Sequence, residues 1–487
     1  MAPHVVFLPY SMMSHLTALV QIARLFAFHG LRVTIITTPH NALVFQSLVD
    51  KDRLVSGRSI CIRTLKFPSN VLGLPEGIEN LVSTPNVEIA GKVHYGVVNL
   101  LQKPLEQMIR QLNPNCIVSD MLFHWTVDLA EELHIPRFSF QPVSFFCQCV
   151  RHCLREYTPH NKVDSDSERF TIPGLLHEIK MKRSEIEDFL KEETYYGKMV
   201  KSVVDADLRS HGIIHNTCSL LEPGYAELYE KIRGRKGWHV GPLSLFINKL
   251  DDVKRSKEIH NSNFSVPNWK ESDDCLSWLE DQDPNSVLFV CFGSSTRFSN
   301  DQLREITLAL KEANCPFVLV VKEQQDHHDG NSNKEMLNKN GKCFIIKGWA
   351  PQVIILKHRA IGGFMTHCGW NSILEALTLG VPLITWPLFS EQFHNANLLE
   401  QLGLAIRVGA DMWNSGFIVS CPVISREKIE SAVKRLMCDS EDSRKIRANV
   451  KLMVERLNSA SEEGGSSHSD LIALIEEIKR CAFNNST

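Results

Sequence analysis

The 487-residue chain has no run of 18 or more apolar residues, the length a membrane span needs, and its opening MAPHVVFLPYSMMSHL has no basic stretch before an apolar one. A membrane span and a secretory leader are therefore not expected, and a cytoplasmic location is. Charge of either sign is also lacking. Lys and Arg total 53 against 56 Asp and Glu, a formal charge of -3, so neither a nucleic-acid surface nor an anionic membrane surface has an electrostatic basis. The 14 cysteines include no Cys-x-x-Cys pair and keep no regular spacing, which reads as reduced thiols rather than a disulfide framework. Cys147, Cys149 and Cys153 form the one cysteine cluster and read as helix packing rather than a metal site.

Common cofactor and nucleophile motifs are missing too. There is no G-x-G-x-x-G and no G-x-x-x-x-G-K-[ST], which removes the main evidence for a nicotinamide enzyme and for a P-loop NTPase. No G-x-S-x-G elbow points to a serine hydrolase. Asp164 and Asp166 have the spacing of a metal and sugar-nucleotide motif but sit in the charged loop NKVDSDSERF, a solvated turn. His327 and His328, in a polar loop, read as a solvated pair. No metal is expected.

What is present is strand and helix in alternation. HVVFLPY (4–10), HLTALVQIARLFAFHG (15–30) and RVTIITTP (32–39) form a β-α-β unit, with Gly30 ending the helix. The pattern recurs at 116–120, 125–134, 136–140 and 212–217, and again from 286 to 387. The expected fold is α/β, with two doubly wound, Rossmann-like domains facing one another across a cleft. The expected division is 1–247, a polar linker 248–270, a second domain 271–465, and a last helix 466–487 that returns to the first domain.

The densest chemistry lies in FMTHCGWNSILEALTLGVPLITWPLFSEQFHN (364–395). AIGGFMTH reads as a strand and NSILEALTLG as a helix, so HCGWNS presents a helix N-terminus at a strand's carboxyl end, a place for a phosphate. His367, Asn371 and Ser372 add donors there. Glu375, one turn along, suits a ribose diol, while Trp349 and Gln352 in GWAPQ offer a stacking plane and an amide. The plainer alternative is that Asn-Ser is a helix cap and His367 a core histidine.

From Trp349 to Gln392 the chain resembles the secondary-product signature of plant UDP-sugar-dependent glycosyltransferases, and the resemblance extends through 286–303, 216–229 and 237–245 to the N-terminal strand and helix. It implies the two-domain GT-B fold and a UDP-sugar co-substrate with no metal or other cofactor. In that family Trp349 stacks on uracil, Gln352 and Glu375 hold the ribose, and His367, Asn371, Ser372 and Ser294 hold the phosphates. Glu391 and Gln392 meet sugar hydroxyls, and Ala350 and Trp370 belong to the same donor set.

The resemblance also implies a base, His15, and its partner, Asp120. A histidine near its ordinary pKa of about 6.5 suits proton removal from an acceptor hydroxyl at neutral pH. Members of the family usually have Gly and Pro where Ser14 and Ala18 stand here.

The segments 67–81, 385–393 and 409–437 look most like the nightshade steroidal-alkaloid and saponin branch. Met12, Met13, Phe123, Phe145 and Phe146 are expected to line an apolar acceptor site. The resemblance also implies UDP-glucose ahead of UDP-galactose or UDP-xylose, since Gln392 stands where glucose-using members carry Gln. The expected activity is inverting transfer of glucose to a hydroxyl of a steroidal, steroidal-alkaloid or triterpenoid acceptor, by a monomer. The alternatives are a flavonoid or phenolic acceptor and, in another class, an inactive nucleotide-sugar-binding protein.

Overall fold

The computed structural model describes residues 2–484 except 55, 85, 256–269, 322–340, 417, 418 and 420. His327, His328 and most of the expected linker lie outside the described residues. The chain divides into two compact units, the first formed by 1–149, 193–267 and 457–487 and the second by 150–192 and 268–456.

The strands in chain order are β1 (His4–Leu8), β2 (Arg32–Thr37), β3 (Ile60–Thr64), β4 (Cys116–Asp120), β5 (Arg137–Gln141), β6 (Arg169–Thr171), β7 (Lys180–Lys182), β8 (Gly212–His215), β9 (Gly237–His239), β10 (Val287–Cys291), β11 (Phe317–Val321), β12 (Cys343–Lys347), β13 (Ile361–Thr366), β14 (Leu383–Thr385) and β15 (Ala405–Arg407).

The first unit is built on a seven-stranded sheet of order β3-β2-β1-β4-β5-β8-β9, every pair parallel. Its strands are short and apolar, as strands covered on both faces must be, and all five residues of β1 are buried. The helix Met13–Phe28 follows β1 and buries Leu16, Leu19, Ile22, Ala23 and Phe26, a stripe at helical spacing. It ends before Gly30, whose φ of 85° turns the chain into β2 at no cost from a Cβ.

The last helix, Ser466–Asn484, places Leu471, Leu474, Ile475 and Ile478 in the same core as Phe26, Trp238 and Val240. The helix Leu243–Arg255 adds Leu243, Phe246, Ile247 and Leu250 to it. The beginning of the segment expected to be a linker, from 248 to 255, is thus helical, because its apolar residues continue the i, i+3, i+4, i+7 pattern set by Leu243.

The second unit has a six-stranded parallel sheet of order β12-β11-β10-β13-β14-β15 and a small antiparallel pair, β6-β7. A single boundary near 247 does not describe the division. Residues 150–192 belong with the second unit because their charges are satisfied there. Glu187, fully buried, accepts from Arg151 at 2.9 Å and lies 2.8 Å from Nε2 of the equally buried His394. Arg151 and the His394 ring hold its carboxyl down at about 2 despite burial. Glu185 reaches Arg407 at 3.2 Å. A buried carboxylate left without such partners is costly, so the segment stays with His394 and Arg407.

Both sheets reverse their strand order once, between β1 and β4 in the first unit and between β10 and β13 in the second. Ligands of open α/β sheets bind beyond the strands' carboxyl ends at such points.

Candidate active site

At the first reversal, β1 runs through Tyr10 into the helix that carries His15, and the adjacent β4 ends in Asp120. His15 is 8% exposed and Asp120 fully buried, and His15 Nδ1 lies 2.7 Å from Asp120 Oδ2. The other carboxylate oxygen accepts from the backbone N–H of Leu122 at 3.0 Å. A carboxylate facing Nδ1 requires the proton on that nitrogen, which leaves the Nε2 lone pair to accept a proton. Asp120 therefore fixes the tautomer and can balance an imidazolium.

Tyr10 and His94 were not legible as site residues. The Tyr10 ring lies 5.7 Å from that of His15, and its Oη is 2.7 Å from His94 Nδ1. Burial and the charge of Asp120 push the phenol well above its ordinary range, and burial lowers His94, so both are neutral at pH 7. His94 lies in the helix Val87–Tyr95, far from His15 in sequence, and no pattern links the two.

The expected acceptor residues separate. Phe123 is buried, and Met12 packs partly buried on the same cluster, which also holds Tyr10. Met13 instead packs against the core on the other side of the sheet. Phe145 and Phe146 have no exposed surface: Phe145 packs on His215, Tyr229 and His239, and Phe146 on Tyr225. Rings with no free face offer nothing to a ligand, so these two are core.

At the second reversal, Cys368 at φ 66° and Gly369 carry the chain from β13 into the helix Trp370–Thr378. The N-cap is Gly369, which has no side chain with which to cap, and Asn371 and Ser372 stand within the first turn. The first-turn N–H groups of a helix have no intrahelical acceptor, which makes this end a site for an anion.

His367 lies between two glycines. A Cβ on Gly293, which follows β10 at φ 77°, would meet the imidazole at 2.7 Å, and one on Gly369 at 2.6 Å. Removal from water lowers His367 to about 4, so its ring is neutral at pH 7. Ser294, next to Gly293, is partly exposed.

Gln352 opens the helix Gln352–Leu356, and its amide donates to Ser372 Oγ at 3.0 Å and to Glu375 Oε2 at 2.6 Å. Desolvation pushes Glu375 up to about 7, opposed by the Gln352 bond. Trp349 is 44% exposed and leaves a large aromatic surface in contact with solvent, while Ala350 and Trp370 are buried. A space of about 490 Å³, open to solvent, runs past Phe292, Gly293, Val321 and Gly348 at the carboxyl ends of β10, β11 and β12.

Glu391 and Gln392 begin the helix Gln392–Gln401. Gln392 Oε1 accepts from the N–H groups of Leu388 and Phe389 at 2.9 and 3.0 Å. Glu391 accepts from Ser390 Oγ at 2.5 Å and from Asn395 Nδ2 at 3.3 Å, and Asn395 also donates to the carbonyl of Cys368. The end of the signature is thereby tied to the turn after β13. Among the described residues, Asp164 and Asp166 are exposed, with Asp166 paired to Arg183.

Residues 271–443 match the family described as UDP-glucoronosyl and UDP-glucosyl transferase. Solanidine UDP-glucose glucosyltransferase 1 of Solanum tuberosum is 45% identical, over 99% of this chain and 98% of its own length. The chain belongs to this family. It is a UDP-glycosyltransferase, with the GT-B fold. Nuatigenin 3-beta-glucosyltransferase of Solanum aculeatissimum is 46% identical over 98% of this chain and 97% of its own. Among solved structures, Glycyrrhiza uralensis UGT73P12, complexed with glycyrrhetinic acid 3-O-monoglucuronide, superposes on this UDP-glycosyltransferase with a TM-score of 0.91 at 36% identity, covering 100% of this chain and 97% of that one. Medicago truncatula UGT71G1, complexed with UDP-glucose, does so with a TM-score of 0.75 at 26% identity, over 98% of each chain. No helix among the described residues is long and apolar enough to cross a membrane.

Proposed function

We propose that this UDP-glycosyltransferase moves glucose from UDP-glucose to a hydroxyl of a steroidal, steroidal-alkaloid or triterpenoid acceptor, with inversion at the anomeric carbon. The observation that carries the reaction is the His15 and Asp120 pair, which leaves Nε2 as a base. Nε2 takes the proton of the acceptor hydroxyl as its oxygen forms a bond to the anomeric carbon. The bond to the β-phosphate oxygen breaks, and UDP leaves with the electron pair. Asp120 balances the imidazolium. No covalent enzyme intermediate is required.

In this reading uracil lies on Trp349, the ribose diol donates to Glu375 beside Gln352, and Ser294, His367, Asn371 and Ser372 meet the diphosphate. Glu391 and Gln392 meet the sugar. Charge that develops on the departing diphosphate falls at a helix N-terminus beside neutral donors, so the proposed reaction uses no metal. A monomer working in the cytoplasm is part of the same proposal.

Two relatives at 45% and 46% identity, named for solanidine and nuatigenin, support the acceptor class and the donor. Met12, partly buried on the cluster that holds Tyr10 and Phe123, keeps apolar surface that agrees with a large apolar aglycone. The test is UDP release from UDP-glucose with a steroidal sapogenin, with a flavonol and with no acceptor. Sapogenin-dependent release at the higher kcat/KM is expected. A tenfold preference for the flavonol overturns the acceptor, and release no faster than without acceptor overturns the reaction.

A further inference from the structure

The loop between β14 and the helix Gln392–Gln401 carries the two residues assigned above to the sugar, yet its backbone is not in a restful conformation. Ser390 has a φ of 54°, the left-handed region that a residue with a Cβ enters at a cost. Such a conformation persists only where its surroundings over-determine it. Here two bonds come from within the loop, where the N–H groups of Leu388 and Phe389 close on the Gln392 side chain. Two more come from a segment after β15. The N–H of Asn414 donates to the Leu388 carbonyl at 2.8 Å, and the indole N–H of Trp413 donates to the Ser390 carbonyl at 3.0 Å.

That segment is itself anchored. The backbone N–H of Trp413 donates to the Ser184 carbonyl at 2.8 Å, Ser184 Oγ donates to the carbonyl of Asp411 at 2.5 Å, and Asp411 is paired with Lys182 at 2.8 Å. All of these residues belong to the second unit. Asn414 is 3% exposed, and Trp413 is partly buried. The segment lies within 409–437, one of the stretches that resemble the steroidal-alkaloid and saponin branch, and holds none of the residues proposed for the nucleotide.

We infer that Trp413 is a positioning residue for the donor sugar: its indole N–H, on the Ser390 carbonyl, holds the loop that presents Glu391 and Gln392. Sugars that differ by one hydroxyl orientation are distinguished only by groups held to a fraction of an ångström, and Ser390 is the residue directly before Glu391. The bonds of Trp413 and Asn414 fall on Leu388 and Ser390, and the loop meets the proposed phosphate turn separately, through Asn395 on the Cys368 carbonyl and Phe389 beside His367.

The inference rests on the proposed roles of Glu391 and Gln392, so its test carries a control for them. Trp413→Phe keeps the ring and removes the N–H. KM for UDP-glucose should rise three- to tenfold, the fold-change of one lost hydrogen bond. The inhibition constant of UDP should stay within twofold, and the preference for UDP-glucose over UDP-galactose should narrow. Glu391→Ala, measured alongside, should raise KM for UDP-glucose by more. If Glu391→Ala raises KM and Trp413→Phe leaves KM and donor preference unchanged, the brace is overturned and the sugar site stands. If Glu391→Ala has no effect, the sugar site falls and the brace with it. A loss of UDP affinity in step with KM in Trp413→Phe shows a merely structural role and also overturns the inference. Ser184→Ala, which removes one of the three bonds anchoring the segment, gives a second reading: a smaller rise in KM with UDP inhibition unchanged is expected, and no rise counts against the brace.

Discussion

The two strand-order reversals of this UDP-glycosyltransferase use opposite materials. At the first, between β1 and β4, the chemistry lies in two side chains 2.7 Å apart, one buried and one nearly so. At the second, between β10 and β13, the proposed donor site is mostly backbone: an uncapped helix N-terminus, glycines on both sides of His367, and Cys368 at positive φ. Proton transfer needs one titratable atom in one place, which a side chain supplies. Holding a diphosphate needs several donors converging on an extended anion, which a turn of backbone supplies more rigidly than long side chains. Side-chain truncation should thus be drastic at the first site and graded at the second.

The largest effect tests that contrast directly. His15→Ala should lower turnover by about 10² to 10⁴, the range for a lost general base, with UDP affinity nearly unchanged in calorimetry. Asp120→Asn should lose less, since the base remains. Turnover near wild type in His15→Ala would break the comparison at its stronger end.

Next is the backbone itself. Gly293→Ala places a methyl 2.7 Å from the His367 ring at a φ of 77°. The combined strain and overpacking should weaken UDP binding by on the order of 3 kcal/mol. His15 chemistry should persist at saturating donor. UDP affinity equal to wild type would show that the glycine cradle is not part of the nucleotide site.

The smallest effects come from Glu375. Glu375→Ala should cost roughly 1.5–3 kcal/mol of UDP binding, as expected for hydrogen bonds to a charged group. Its carboxyl stands near 7 in the empty site, and a ribose diol donating to it favours the ionised form, so binding releases a proton when the site is protonated. UDP affinity should therefore be level at high pH and weaken as pH falls through 7, by at most about tenfold between pH 8 and 6. Glu375→Gln should remove that component, leaving only what UDP's own phosphate titration contributes. An identical pH dependence in wild type and Glu375→Gln would separate Glu375 from the ribose.

The regularities of the fold were legible because period and punctuation are local. The apolar stripe of Met13–Phe28, the buried β1 and the stop before Gly30 follow from residues within a few positions of one another. The proposed donor side chains other than Ser294 were also easy to group, since 349–392 carries them in one short stretch, and the structure joins Gln352 to Ser372 and Glu375. Phe145 and Phe146 misled because an apolar run after a strand reads the same whether its partners are a ligand or the unit's own rings. Only His215, Tyr225, Tyr229 and His239, far along the chain, decide between these.

By itself the sequence determined the α/β alternation, the family and the short-range grouping of the residues proposed for the donor, all of which rest on spacing along one stretch of chain. Tertiary structure alone decided that 150–192 joins the second unit, that Tyr10 meets His94, and that Trp413 reaches Ser390. Each depends on a buried charge or polar group finding its partner across a long sequence separation. Desolvation makes such partners obligatory, but no local pattern says which distant residue will supply them.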